Sequence, residues 1–208
     1  MFRDRRDAGE RLADRLVSTD VAADIVLAIP RGGLPLGRPV ADALDAPLDV
    51  VVARKLGAPD NPEYAVGAVA SDGTVWLNDD AVARTGVDDD YLEREQAEQA
   101  EAAREKAERY RDGPAPDLTD EVVVVVDDGV ATGSTAFACI EQVRAAGADR
   151  IVVAIPVGPP DTVADLETVA DEVVCLETPA NFRAVGQFYE RFDQVSDDEA
   201  VQYLDSGE

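Results

Sequence analysis

The chain has 208 residues, 46% of them hydrophobic, which is enough to fill the core of one domain; no apolar run approaches the roughly 20 residues needed to cross a bilayer. Its 19 basic and 44 acidic residues leave a net charge of −25, a surface that repels nucleic acid. There is no histidine, which excludes His-based triads and most zinc sites.

No apolar segment follows the charged start Met1 to Asp7, so no signal peptide is expected. Residues 4–17 are predicted to form an amphipathic helix with Leu12 and Leu16 on one face and Asp7 and Arg11 spaced for an ion pair. Its arginines (Arg3, Arg5, Arg6, Arg11, Arg15) interleave with Asp4, Asp7, Glu10 and Asp14, and read as a solvated face rather than a phosphate site. Residues 24–29 form a short apolar strand that runs into Pro30, Arg31, Gly32 and Gly33, and a helix follows to about Leu44. The next strand is expected at 48–53, with Arg54 and Lys55 at its end. Residues 57–63, with two prolines and an asparagine, read as a flexible loop, and 65–70 with 74–77 as a hairpin around Ser71, Asp72 and Gly73. Residues 88–111 are a long polar helix with a thin stripe of Ala100, Ala103, Ala107 and Tyr110, and with Glu105 and Arg109 ordered for a pair; an outer helix or a dimer contact is the expected use. Residues 113–116, Gly-Pro-Ala-Pro, end it.

Five valines, Val122–Val126, then read as a strand buried on both faces, as in a parallel sheet. Asp127 and Asp128 sit at its carboxyl end, and a small-residue turn through Gly129, Ala131, Thr132, Gly133, Ser134 and Thr135 opens a helix. A helix start with free amides suits a phosphate, and carboxylates accept hydrogen bonds from sugar hydroxyls. The run lacks the lysine of a nucleotide P-loop and the glycine spacing of a dinucleotide site; a simple cap would need one hydroxyl and no acid pair. A strand at 150–155, a helix at 161–170 and a strand at 172–176 continue the alternation, which predicts a parallel α/β sheet. Residues 178–192 break the pattern and carry Phe182, Phe188, Tyr189 and Phe192. Cys139 and Cys175 read as buried thiols rather than a disulfide.

An apolar strand, two acids and Gly-x-x-Thr-Gly-x-Thr resemble the 5-phosphoribosyl-1-pyrophosphate (PRPP) motif of type I phosphoribosyltransferases. The Phe-Arg-Asp-Arg start, the run from Ala53 to Pro59 and the run from Ala184 to Tyr189 are similar to a group of predicted members of unassigned substrate. The resemblance implies a single domain over 1–208: a Rossmann-like parallel α/β core at about 20–176, a small C-terminal hood at about 177–195 and an inserted long helix at about 88–111. It implies Mg²⁺-dependent transfer of 5-phosphoribosyl from PRPP to a nitrogen acceptor, a nucleobase first among the candidates, with release of pyrophosphate. On that pattern Ala131, Thr132, Gly133, Ser134 and Thr135 hold the 5-phosphate, and Asp127 and Asp128 hold the ribose hydroxyls and, indirectly, Mg²⁺. Arg31, Gly32, Gly33, Arg54 and Lys55 face pyrophosphate, with Asp127, Asp128 and Lys55 as the catalytic set. Phe182 and Tyr189 are the candidates for stacking on the acceptor, and the 57–63 loop would close over the site. The family also implies a homodimer, with PRPP and a small-molecule acceptor as partners and neither nucleic acid nor membrane. A non-catalytic PRPP-sensing regulator of the same fold is the alternative, although such a protein is expected to carry a basic face; a PRPP synthetase, built of two such domains, fits less well. The acid-rich, lysine-poor composition, with Lys55 and Lys106 the only lysines, is similar to that of halophilic cytoplasmic proteins. An acidic docking surface for a basic partner is the other reading of that charge.

Overall fold

The computed structural model describes residues 1–111 and 113–205, and of Glu63 the backbone alone. Helix α1 (Arg5–Ser18) starts at Asp4, whose carboxylate accepts from the Asp7 amide and so satisfies one of the donors a helix start leaves open. Strand β1 (Ile25–Ala28), helix α2 (Leu34–Leu44) and strand β2 (Leu48–Val50) follow. The chain then makes an excursion through β3 (Ala53–Ala58), β4 (Asn61–Ala70) and β5 (Val75–Leu77), and through helices α3 (Asp79–Thr85) and α4 (Asp89–Tyr110). It returns as β6 (Val122–Val126), α5 (Ser134–Ala145), β7 (Arg150–Val157), α6 (Pro160–Leu166) and β8 (Glu172–Glu177), and ends with a single 3-10 turn, Val185–Phe188, and helix α7 (Asp197–Gln202). No helix among the described residues is long and apolar enough to cross a membrane.

Five strands form one parallel sheet in the order β2-β1-β6-β7-β8. Alternate residues feed the two faces, because side chains on a strand point to opposite sides. Leu27, Val125, Val153 and Ile155 pack under α5 and α6 with Phe137, Ile140 and Leu166. Val26, Val124, Val126 and Val152 pack under α1 and α2 with Leu12, Leu16, Leu36 and Val40. Both faces are therefore covered, which accounts for the unbroken valine run in β6. The strand order reverses between β1 and β6: the chain builds outward to β2 on one side and to β7 and β8 on the other. In an open parallel sheet such a switch point leaves a crevice beyond the carboxyl ends of the two strands.

The second sheet, β3-β4-β5, is antiparallel and differs from expectation in two places. The expected strand at 48–53 is two strands, so Arg54 and Lys55 lie inside β3 rather than at the end of a core strand. Residues 57–63 are the tip of the β3–β4 hairpin rather than an open loop: Ala58 pairs with Asn61 across Pro59 and Asp60. Gly57 makes this possible, since a Cβ there would lie 2.7 Å from the Pro62 carbonyl oxygen. Trp76 of β5 stacks on Phe137 of α5 with ring centroids 4.6 Å apart, tying the second sheet to the first. Helix α6 is shorter than the 161–170 expected, and α3 and α7 were not foreseen.

Candidate functional site

The switch point brings two of the sequence-predicted loops into contact. The Ile29 amide donates to the Val126 carbonyl at 2.9 Å, and the Gly33 amide to the Ile29 carbonyl at 2.9 Å, so the loop after β1 folds against the end of β6. Gly32 lies against Asp128: a Cβ there would be 2.2 Å from Oδ2. At Gly33 a Cβ would be 2.5 Å from the Val126 carbonyl oxygen, so both glycines are required by close approach. The peptide between Pro30 and Arg31 is cis.

Asp127 and Asp128 stand side by side with different partners. Asp127 Oδ1 accepts from the Asp128 amide at 2.8 Å. Asp128 Oδ2 accepts from Arg5 Nε at 2.8 Å, and both side chains of that pair are nearly closed off, at 13% and 14% exposure. Burial, then the charge of Asp128, push the Asp127 carboxyl well above the usual carboxylate range, against the pull of the Asp128 amide, Arg5 and Lys106. Burial also pushes Asp128 up, while Arg5 opposes it. The pair is thus poised to receive hydroxyl hydrogens or a cation rather than to stay as two bare charges. A cavity of about 460 Å³ opens above it, lined among others by Arg5, Arg31, Gly32, Thr135, Val185 and Phe192.

On the other side of Asp127 a second cavity of about 210 Å³ is lined by the turn from Gly129 to Ala136 and by Val185. All five residues expected to cradle a 5-phosphate, Ala131 to Thr135, line it. Gly133 caps α5 in the left-handed region at φ +75°, which leaves the first amides of α5 open. The hydroxyls of Thr132 and Ser134 lie 3.2 Å apart, and Thr162 Oγ1 fixes the turn by donating to the Ala131 carbonyl at 2.8 Å. Helix start, small residues and paired hydroxyls together make an anion cradle. Asp127, Thr135 and Val185 line both cavities, which therefore adjoin along the acid pair.

The cationic side is composed differently from expectation. Arg31 lines the larger cavity, but Arg54 and Lys55 do not. Arg54 Nε donates to Gln99 of α4 at 2.8 Å, and Lys55 is exposed on β3. Lys106 of α4 does not line it either, but its Nζ donates to the carbonyl of Pro30, which does, at 2.8 Å. Asp197 of α7 approaches Arg31 at 3.8 Å, pairs with Arg109 at 2.9 Å and accepts from Tyr110. Arg109 thus turns to α7 rather than along its own helix to Glu105.

The two aromatics expected to stack on an acceptor line neither cavity. Tyr189 is buried: its ring packs on Phe2 and Phe192, at 5.4 and 4.9 Å between centroids, and its hydroxyl donates to the Asp128 carbonyl at 2.6 Å. That makes it a support for the acid pair. Phe182 stacks on Phe188 at 5.4 Å. The residues 178–192 form no core of their own; they lie on the N-terminal segment, where Phe2 pairs with Tyr189. Phe192 lines the larger cavity, with the Arg5 guanidinium 3.8 Å over its ring. Arg5 is the clearest correction to the expected solvated face.

A family model described as the phosphoribosyl transferase domain matches residues 4–193. The chain belongs to that family. Over 206 residues, 99% of the chain, it is 50% identical to a protein of Mycobacterium tuberculosis that bears a provisional phosphoribosyl transferase name, and it spans 46% of that relative's length. Among solved structures, TT1426 from Thermus thermophilus is 44% identical with a TM-score of 0.83, covering 98% of this chain and 97% of that one. AQ2163 from Aquifex aeolicus, 12% identical with a TM-score of 0.51 over 83% of this chain and 73% of that one, shares the fold.

Proposed function

We propose that this phosphoribosyl transferase domain binds PRPP across the switch point and transfers its 5-phosphoribosyl group to a nitrogen acceptor, releasing pyrophosphate. One observation carries the reading: an anion cradle and a cationic loop flank the same acid pair, in adjoining cavities. A sugar bearing phosphate groups at both ends suits that arrangement. In this reading Ala131 to Thr135 hold the 5-phosphate. Asp127 and Asp128 accept from the ribose hydroxyls, and their negative charge lies beneath the ring where cationic character grows at the anomeric carbon. Arg31 and the amides around Gly32 and Gly33 face the pyrophosphate, and Val185, Phe192 and Arg5 border the space left for the acceptor.

The acid pair fits Mg²⁺ in a limited way. No group of three metal-ligating side chains stands together among the described residues; in this reading Asp127 and Asp128 would hold the ion, with water and substrate oxygens completing the shell. When bound, Mg²⁺ would offset charge on the pyrophosphate. The β3–β4 hairpin, a folded arm rather than a loose loop, is the element able to close over the site and exclude water.

The test is pyrophosphate release from PRPP and Mg²⁺ in the presence of a panel of nucleobases and small amines. Release that depends on one acceptor and vanishes in Asp128→Asn supports transfer. Calorimetric binding of PRPP without release for any acceptor would instead make the chain a PRPP sensor, and no binding at all would overturn the reading.

A further inference from the structure

The chain has two lysines among its 19 basic residues, and one of them, Lys106, reaches the Arg31 loop from α4, an element that the sequence pattern assigned to the periphery. Its Nζ, 2.8 Å from the Pro30 carbonyl, is held at the loop that carries Arg31, Gly32 and Gly33. The helix that presents it is fastened at both ends. Tyr91 donates to the Gly57 carbonyl at 3.0 Å. Beyond the other end, Arg111 Nε reaches both carboxylate oxygens of Asp49 at 3.0 and 3.1 Å, and its Nη2 donates to the Val50 carbonyl at 2.8 Å. Lys106 therefore arrives on a formed helix rather than on a loop that must order on binding.

Its charge is under-compensated. Arginines elsewhere in this acidic protein, such as Arg6, Arg38, Arg104 and Arg150, sit on carboxylates. Among the described residues no carboxylate lies within ion-pairing distance of Lys106 or of Arg54, whose Nε meets the neutral Gln99 amide, and Arg31 has only Asp197, at 3.8 Å. Burial, then the positive charges of Arg54 and Arg31, hold the half-buried ammonium below the usual lysine range, while Asp197 and Asp127 act the other way. Lys106 on the Pro30 carbonyl and Arg31 beside it, with one loosely placed carboxylate in a chain of net charge −25, form a site suited to an anion that the protein does not itself supply.

We infer that Lys106 is a ligand for pyrophosphate: its ammonium, delivered by α4 of the same chain, binds a diphosphate on the Arg31 loop together with Arg31. The inference rests on the phosphoribosyl transfer reading for the identity of the anion, and it moves the lysine of the pyrophosphate subsite from β3, where Lys55 is exposed, to α4. It also assigns α4 a part in binding.

The test uses inorganic pyrophosphate with MgCl₂ and, separately, ribose 5-phosphate, each titrated calorimetrically into the intact protein. Lys106→Gln keeps a donor for the Pro30 carbonyl and removes the charge. It is expected to weaken pyrophosphate binding about tenfold or more while ribose 5-phosphate stays within about twofold, since charge-assisted contacts exceed neutral ones by about that margin. Lys106→Arg, which keeps the charge, is expected within about threefold for both ligands. Unchanged pyrophosphate affinity in Lys106→Gln, or equal losses of both ligands, overturns the inference and leaves the transfer reading standing. A wild-type protein that does not bind pyrophosphate overturns it as well, and if ribose 5-phosphate also goes unbound the transfer reading falls with it.

Discussion

Asp127 is placed where its own ionisation is opposed. Its folded-state pKa lies above the ordinary value of 3.8, raised by burial and by Asp128. A carboxyl raised in this way binds more protons folded than unfolded, so its contribution to stability worsens as pH climbs from about 3.8 through the raised value. Above that window the full penalty is present; below 3.8 it is absent. Asp127→Asn keeps an oxygen for the Asp128 amide and removes the charge, so the variant is expected to melt several degrees higher than wild type at neutral pH. The gain should disappear on acidification below pH 4, and pyrophosphate release should be lost. Melting curves from pH 3 to 8 decide it; a variant less stable than wild type at pH 7 sinks the argument. The acid pair was legible in the sequence because two adjacent acids at the end of a five-valine strand have few structural uses. Arg5 was not: its position among Arg3, Asp4, Arg6 and Asp7 gives the pattern of a solvated helix face, and only the fold brings it to Asp128, 123 residues away.

At the scale of elements, helices α4 and α7 lock each other over the Arg31 loop. Ala200 of α7 and Ala103, Ala107 and Tyr110 of α4 share one buried cluster. Asp197 ties the pair through Tyr110, Arg109 and Arg31. The Tyr110 hydrogen bond, more than Arg109 or Arg31, holds the Asp197 carboxyl below its ordinary 3.8, although partial burial opposes this. A carboxyl lowered in this way stabilises the fold fully above 3.8 and loses its effect as pH falls through the folded value. Asp197→Ala is therefore expected to lower the melting temperature at pH 7 by a few degrees and to free α7 for early proteolysis, with the gap to wild type closing below pH 4. Equal gaps at pH 7 and pH 3 would show that Asp197 acts by packing instead. The long helix was legible from its charge pattern and the Gly-Pro-Ala-Pro that ends it, and its stripe from Ala100 to Tyr110. What it packs against was not, because α7 is six residues long and carries no periodic signal above its acidic surroundings. The β3 strand was hidden for a related reason: with Arg54 and Lys55 both exposed, the alternation that marks a strand is broken.

For the molecule as a whole, strand alternation announced a parallel sheet but not the order β2-β1-β6-β7-β8, which depends on how the antiparallel excursion is accommodated. That order sets the site at the switch between β1 and β6, and it also sets an electrostatic contrast. The surface carries a net −25, so like charges repel across it, whereas the crevice carries Arg5 and Arg31, with Lys106 on the Pro30 carbonyl beside them. Salt screens both, with a Debye length falling from about 10 Å at 0.1 M to about 3 Å at 1 M. Screening relieves the repulsion and so stabilises the fold, yet it weakens the attraction of the crevice for a phosphate. The two responses should therefore have opposite signs: the melting temperature is expected to rise steadily from 0.05 to 1 M KCl while pyrophosphate affinity falls over the same range. Scanning calorimetry and titration calorimetry at fixed pH and Mg²⁺ measure the pair. A melting temperature that falls with KCl would mean that specific ion pairs such as Arg5–Asp128 outweigh the net charge. A pyrophosphate affinity that rises with KCl would mean that the acidic surface, rather than the cationic crevice, governs the approach of the ligand.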